Sequence, residues 1–76
     1  MQRYFFDLST RYGVRLDHKG REFESAEQAR ELAELWALDL EYRNDDQWTG
    51  AEIRVLTING KAIYRIPVQP FDAVAA

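Results

Sequence analysis

From Arg3 to Leu8 the chain alternates with a period of two, placing Tyr4, Phe6 and Leu8 on one side of an extended backbone and Phe5 on the other. That pattern predicts a strand. Gly13 to Leu16 reads as a short returning strand, reached through the polar connection Ser9–Tyr12. Asp17-His18-Lys19-Gly20 then carries turn chemistry, with Asp at the first position and Gly at the fourth.

The period changes at Ser25. Ser25-Ala26-Glu27-Gln28 has the form of a capping box, in which the serine hydroxyl takes the amide of the third helical residue and Gln28 reaches back. Good helix formers run to about Arg43, and Asn44-Asp45-Asp46 supplies the stop. A helix of about 19 residues spans roughly 28 Å, enough to cross a four-stranded sheet. At 100° per residue, Ala26, Ala29, Leu32, Ala33, Trp36, Ala37 and Leu40 share one broad stripe. The alanines let the helix axis approach a sheet closely, and the larger residues fill the flanks. This is the expected core face. Leu35, Leu38 and Tyr42 lie on the opposite side, within about 60° of one another.

Period two then returns. Glu52 to Ile58 and Lys61 to Ile66 flank Asn59-Gly60, which predicts a hairpin closed by a tight two-residue turn. Pro67 cannot donate to a ladder, so the last strand belongs at a sheet edge. Strand–strand–helix–strand–strand is an α+β order, β-β-α-β-β. It predicts a single domain over residues 1–76: one helix on a four-stranded antiparallel sheet, spatial order 2-1-3-4. Residues 69–76 read as a surface tail. The main alternative is a split in which each hairpin pairs elsewhere.

One helix covers one sheet face, yet apolar residues project toward both. Tyr4, Phe6 and Leu8 oppose Phe5, Ile53 and Val55 oppose Leu56 and Ile58, and Ile63 joins whichever set its register selects. Either the tail around Phe71 or another chain must cover the second face. A homodimer, or an unidentified protein partner, is expected, with Phe5, Leu35, Leu38, Tyr42, Leu56, Ile58 and Ile63 as the candidate interface.

Composition narrows the function further. A chain of 76 residues makes one small domain that buries only about 60% of its unfolded surface. Its 46% hydrophobic content exceeds that of disordered chains. With no cysteine there is no disulfide framework, thiolate zinc cluster, iron–sulfur site or cysteine nucleophile. The net charge of −3 is uneven: residues 25–46 hold seven acids and two bases, and each flank balances to +1. An acidic helix beside a nearly neutral remainder argues against a phosphate-binding surface. Asp7 interrupts the first apolar run, so no signal peptide is predicted. No stretch approaches the roughly 18 to 20 apolar residues of a membrane span. A cytoplasmic protein is expected, without membrane contact.

Candidate chemistry is thin. His18, with Asp17 and Glu22, has the residue types of a hard-metal or acid–base site, but turn geometry already accounts for Asp-x-x-Gly. Glu41, Asp45 and Asp46 cluster after the helix without calcium-loop spacing and read as its stop. No glycine-rich phosphate loop, Ser-His-Asp set or metal-ligand spacing is present. No catalytic residue, cofactor site or metal site is therefore assigned, and an enzyme is not expected.

Several short patterns run together along the chain: Arg3-Tyr4-Phe5-Phe6, the Asp17…Gly20…Glu22 turn, the alanine-rich helix from Ala26, and Ile53-Arg54-Val55…Asn59-Gly60…Ile66-Pro67-Val68. They cover essentially the whole sequence. Together they resemble a family of small uncharacterised alphaproteobacterial proteins, a domain of unknown function, whose members often begin Met-Pro-Arg-Tyr-Phe-Phe-His. Gln2 stands here where that family has proline, and Asp7 where it commonly has histidine. The resemblance implies the fold and no activity.

Two functional readings follow. The first is a noncatalytic protein-interaction module that self-associates. The alternative is single-stranded nucleic-acid binding, with Tyr4, Phe5 and Phe6 stacking bases beside Arg3, Arg54 and Arg65. Nucleic acid is the weaker expectation, because strand alternation buries two of the three aromatics and no glycine-aromatic RNA-binding motif accompanies them.

Overall fold

The structure is a computed structural model, and it describes residues 1–43 and 46–68. Strand β1 runs Gln2–Thr10, β2 Gly13–Arg15 and β3 Arg21–Phe23. Helix α1 covers Ala26–Arg43, a short 3-10 turn Asp46–Trp48, and β4 and β5 span Glu52–Leu56 and Ala62–Pro67. The sheet order is β2-β1-β4-β5, antiparallel throughout, as the pattern of central and edge strands predicts. β1 and β4 take the centre. β5 ends at Pro67 on an edge. The expected surface tail falls within residues 69–76, outside the described residues.

The expectation of four strands is corrected to five. β3 pairs with the first part of β1 (Gln2↔Phe23, Arg3↔Glu22, Tyr4↔Arg21), while β2 pairs with its last part (Leu8↔Arg15, Ser9↔Val14, Thr10↔Gly13). Arg21-Glu22-Phe23 is too short to show alternation, so nothing in its local pattern distinguishes it from the turn before it.

The last hairpin is also wider than predicted. Thr57 N–H donates to Lys61 O at 2.9 Å and Gly60 N–H to Thr57 O at 2.9 Å, so the loop holds three residues, Ile58-Asn59-Gly60. Only the final residue need be left-handed in such a loop, and Gly60 has φ +83°. A register shift between Val55 and Leu56 makes Ile63 a bulged residue, since Val55 faces Tyr64 and Leu56 faces Ala62.

The helix is capped as predicted, with a displaced return bond. Gln28 N–H donates to Ser25 Oγ at 3.3 Å, while Gln28 Oε1 accepts the N–H of Glu24 rather than that of Ser25. Ala29, Ala33 and Ala37 are buried against Tyr4, Phe6, Ile53 and Val55. Complete burial of side chains such as Ile53 and Val55 stabilises the fold by about 1.5–3 kcal/mol each. Trp36 sits at the rim rather than inside, 36% exposed, its ring edge-on to Phe6 at 5.0 Å. Phe23 of β3 closes the same end, 5.8 Å from Phe6 and 6.2 Å from Tyr4.

Candidate functional site

Among the described residues, the outer face of α1 carries several exposed large apolar side chains. Leu35 is 62% exposed, Leu38 50% and Tyr42 74%. The flanking residues are acidic: Glu27, Glu31 and Glu34 are all exposed, with Arg30 only 3.9 Å from Glu34 and Asp39 paired to Arg43 at 3.1 Å. The helix repeat that drives the alanines into the sheet leaves these residues outward.

The second face of the sheet mixes apolar and charged residues. Alternation along β1 and its register with β4 place Phe5 opposite Leu56, Asp7 opposite Arg54 and Ser9 opposite Glu52, with Arg65 beyond Arg54 on β5. Arg54 Nε lies 3.0 Å from Glu52 Oε1, and Arg65 Nη1 4.0 Å from the same oxygen. Phe5 and Leu56 form an apolar pair on this face, with Ala62 beside Leu56 and Val14 beside Ser9. Ile58 lies in the hairpin loop, not on a strand, and Ile63 packs against the core. Of the residues expected on the second face, Phe5 and Leu56 stand there side by side, whereas the three-residue loop takes Ile58 off the strand and Ile63, at the bulge, packs against the core.

The nucleic-acid residues are not brought together as a stacking platform. Tyr4 and Phe6 are buried beneath α1, leaving Phe5. Arg3 Nη1 donates to Lys19 O at 2.7 Å, and Arg54 and Arg65 share Glu52.

The turn at Asp17 has a structural duty that its local sequence does not reveal. Between the stretches of β1 paired to β2 and β3, Phe6 N–H has no strand to receive it; Asp17 Oδ2 accepts it at 3.1 Å. Asp17 Oδ1 accepts the N–H groups of Lys19 and Gly20, both at 3.0 Å. Asp17 N–H in turn donates to Oδ1 of the buried Asp7 at 3.0 Å. Burial opposes ionisation of Asp17, but the N–H groups of Gly20, Phe6 and Lys19, helped by His18, outweigh it and hold the carboxyl below its ordinary value of 3.8. This carboxylate is a surrogate strand partner. Gly20 is required beside it: its φ is +69°, and a Cβ there would lie 2.8 Å from Tyr4 O and 2.9 Å from the Phe5 ring.

Among the described residues no group of three or more His, Cys, Asp or Glu is placed to hold a metal ion. His18 is exposed, Asp45 lies outside the described residues, and Asp46 opens the 3-10 turn. No helix of the described residues is long and apolar enough to cross a membrane.

A family model for a domain of unknown function, DUF6894, matches residues 3–69, nearly the whole sheet-and-helix unit. The chain belongs to the DUF6894 family. No curated protein and no solved structure matches it. The DUF6894 match takes in the Asp17 turn, Gly20, α1 and the last hairpin together, so the described fold and the family domain coincide.

Proposed function

We propose that this DUF6894 domain is a noncatalytic interaction module that self-associates through the outer face of α1 and acts in the cytoplasm. The observation that carries the reading is the run Leu35, Leu38 and Tyr42, half or more exposed and spaced by three and four residues along one side of the helix. Contiguous exposed apolar residues rimmed by charge mark interaction sites on soluble proteins. The open sheet face carries the charged Arg54, Glu52 and Arg65 around Phe5 and Leu56. In the same proposal, the alphaproteobacterial proteins opening Met-Pro-Arg-Tyr-Phe-Phe-His, which the chain resembles, are relatives of the same kind.

Sedimentation over a micromolar concentration series tests it. The weight-average mass should rise above the 8.9 kDa of one chain, and a Leu35→Glu, Leu38→Glu variant should stay at that mass with its thermal melt intact. A wild-type mass fixed at 8.9 kDa throughout overturns the reading. Binding of a single-stranded oligonucleotide that falls steeply with salt and vanishes in Arg54→Ala, Arg65→Ala replaces it with the nucleic-acid alternative.

A further inference from the structure

The outer face of α1 cannot easily meet its own copy. Residues 26–43 hold five acids against Arg30 and Arg43, a balance of −3, and the exposed Glu27, Glu31 and Glu34 border the apolar run. Two such faces laid together would set like charges against one another around a small apolar centre, which costs affinity.

A surface of opposite character exists elsewhere on the same chain. Residues 11–19, the segment containing β2 and the start of the loop after it, hold Arg11, Arg15 and Lys19 against the single acid Asp17, a balance of +2. Within the same segment Tyr12, Val14 and Leu16 are each more than half exposed. Beside them lies a hollow of about 270 Å³ in which Leu8, Val14 and Trp48 share the lining with Thr10, Gln47 and Arg15. An apolar run rimmed by acids on the helix therefore has, at the β2 edge, exposed apolar side chains set among bases.

We infer that the acidic outer face of α1 on one copy docks onto the basic β2 edge, residues 11–19, of a second copy. The inference rests on the self-association proposed above and specifies its geometry. Leu38 or Tyr42 enters the hollow, and Glu31 and Glu34 face Arg15 and Lys19. Because the two surfaces differ, one contact leaves a helix face and a β2 edge unused. The assembly closes as a two-fold pair only if both contacts form at once; otherwise it continues into a ring or a chain.

Charge exchange on the full chain tests this. A helix variant, Glu31→Lys with Glu34→Lys, and an edge variant, Arg15→Glu with Lys19→Glu, should each self-associate more weakly than wild type, by about tenfold or more in dissociation constant. All four substitutions are at exposed positions, and circular dichroism checks that each variant keeps its fold. An equimolar mixture of the two variants should recover association, since the basic helix of one meets the acidic edge of the other. Wild-type association should weaken with salt. An edge variant that associates like wild type overturns the inference while leaving self-association through α1 standing. A mixture that stays monomeric after both variants lose association also overturns it. A wild-type chain that never associates removes both readings.

Discussion

Replacing Asp17 by asparagine should destabilise the domain by about 2 kcal/mol at neutral pH, although the side chain keeps its size. The carboxylate accepts three backbone N–H groups, and one of them, Phe6 N–H, belongs to the central strand in the interval that neither β2 nor β3 covers. An amide supplies one acceptor oxygen and one NH2 group, so at least one of the three donors must then face another donor. Leaving a part-buried donor unsatisfied costs about 1–3 kcal/mol, and bonds to a charged acceptor are worth roughly 1.5–3 kcal/mol against about 1 for neutral ones. The Lys19 bond is exposed and water replaces much of it, which holds the total near the lower half of that sum. With a urea slope near 1 kcal/mol/M for so small a chain, the unfolding midpoint should fall by about 2 M.

The pH dependence gives the prediction its sharper form. The folded-state pKa of Asp17 lies below the ordinary 3.8, so its contribution is fully present above that value and is lost as the pH falls through the folded pKa. Above pH about 5 the difference between wild type and Asp17→Asn should be constant; below pH 4 it should shrink. Other carboxylates titrate in both proteins and cancel in the difference. Urea melts at pH 7, 5, 4 and 3 measure it. A variant within about 0.5 kcal/mol of wild type at pH 7, the range of ordinary surface changes, would refute the surrogate-strand role. So would a gap that persists unchanged at the acid end.

Gly20→Ala should cost more than Gly50→Ala in the same melts. Both glycines are left-handed (φ +69° and +77°), worth about 1–2 kcal/mol of strain for any other residue, but only at Gly20 would the new Cβ meet backbone, at Tyr4 O. Equal costs would show that the β1 contact yields freely. Ala33→Leu, at a fully buried point where α1 meets the sheet, should lower stability by about 1–3 kcal/mol through overpacking, while Leu35→Ala on the outer face should leave stability within about 0.5 kcal/mol of wild type.

The legible parts of the fold are those specified by periodicity over several residues. The alanine stripe of α1, the Ser25 cap, the two-sided β1 and the central place of β4 all follow from residues that repeat with a regular period. Features that depend on a distant partner do not show locally. β3 is recognisable only because Gln2, Arg3 and Tyr4 lie opposite it. The Asp17-x-x-Gly20 turn is plain in the sequence, but its bond to Phe6 requires knowing that β1 lacks a neighbour there. The register slip that carries Ile63 toward the core arises from the loop and bulge acting together. On the surface, Leu35, Leu38 and Tyr42 are visible from helical arithmetic alone. The basic β2 edge is not, because its exposed apolar residues look like a strand that ought to be covered.

How the sheet guards its edges bears on how copies would meet. An exposed strand edge invites another strand, and proteins discourage this with short strands, basic side chains, proline or a cover over free N–H groups. β2 is three residues long and carries Arg15, β5 presents Arg65 and ends in Pro67, and the Asp17 carboxylate occupies the Phe6 N–H in the gap of β1. Backbone pairing between copies is therefore opposed at all three places, and side-chain docking is what remains. This separates the two modes by hydrogen exchange. If copies meet through α1 and the β2 flank, association should leave the exchange of the β5 amides from Ala62 to Ile66 unchanged. Protection appearing along β5 as concentration rises would mean that its edge, despite Arg65 and Pro67, is where the second chain adds.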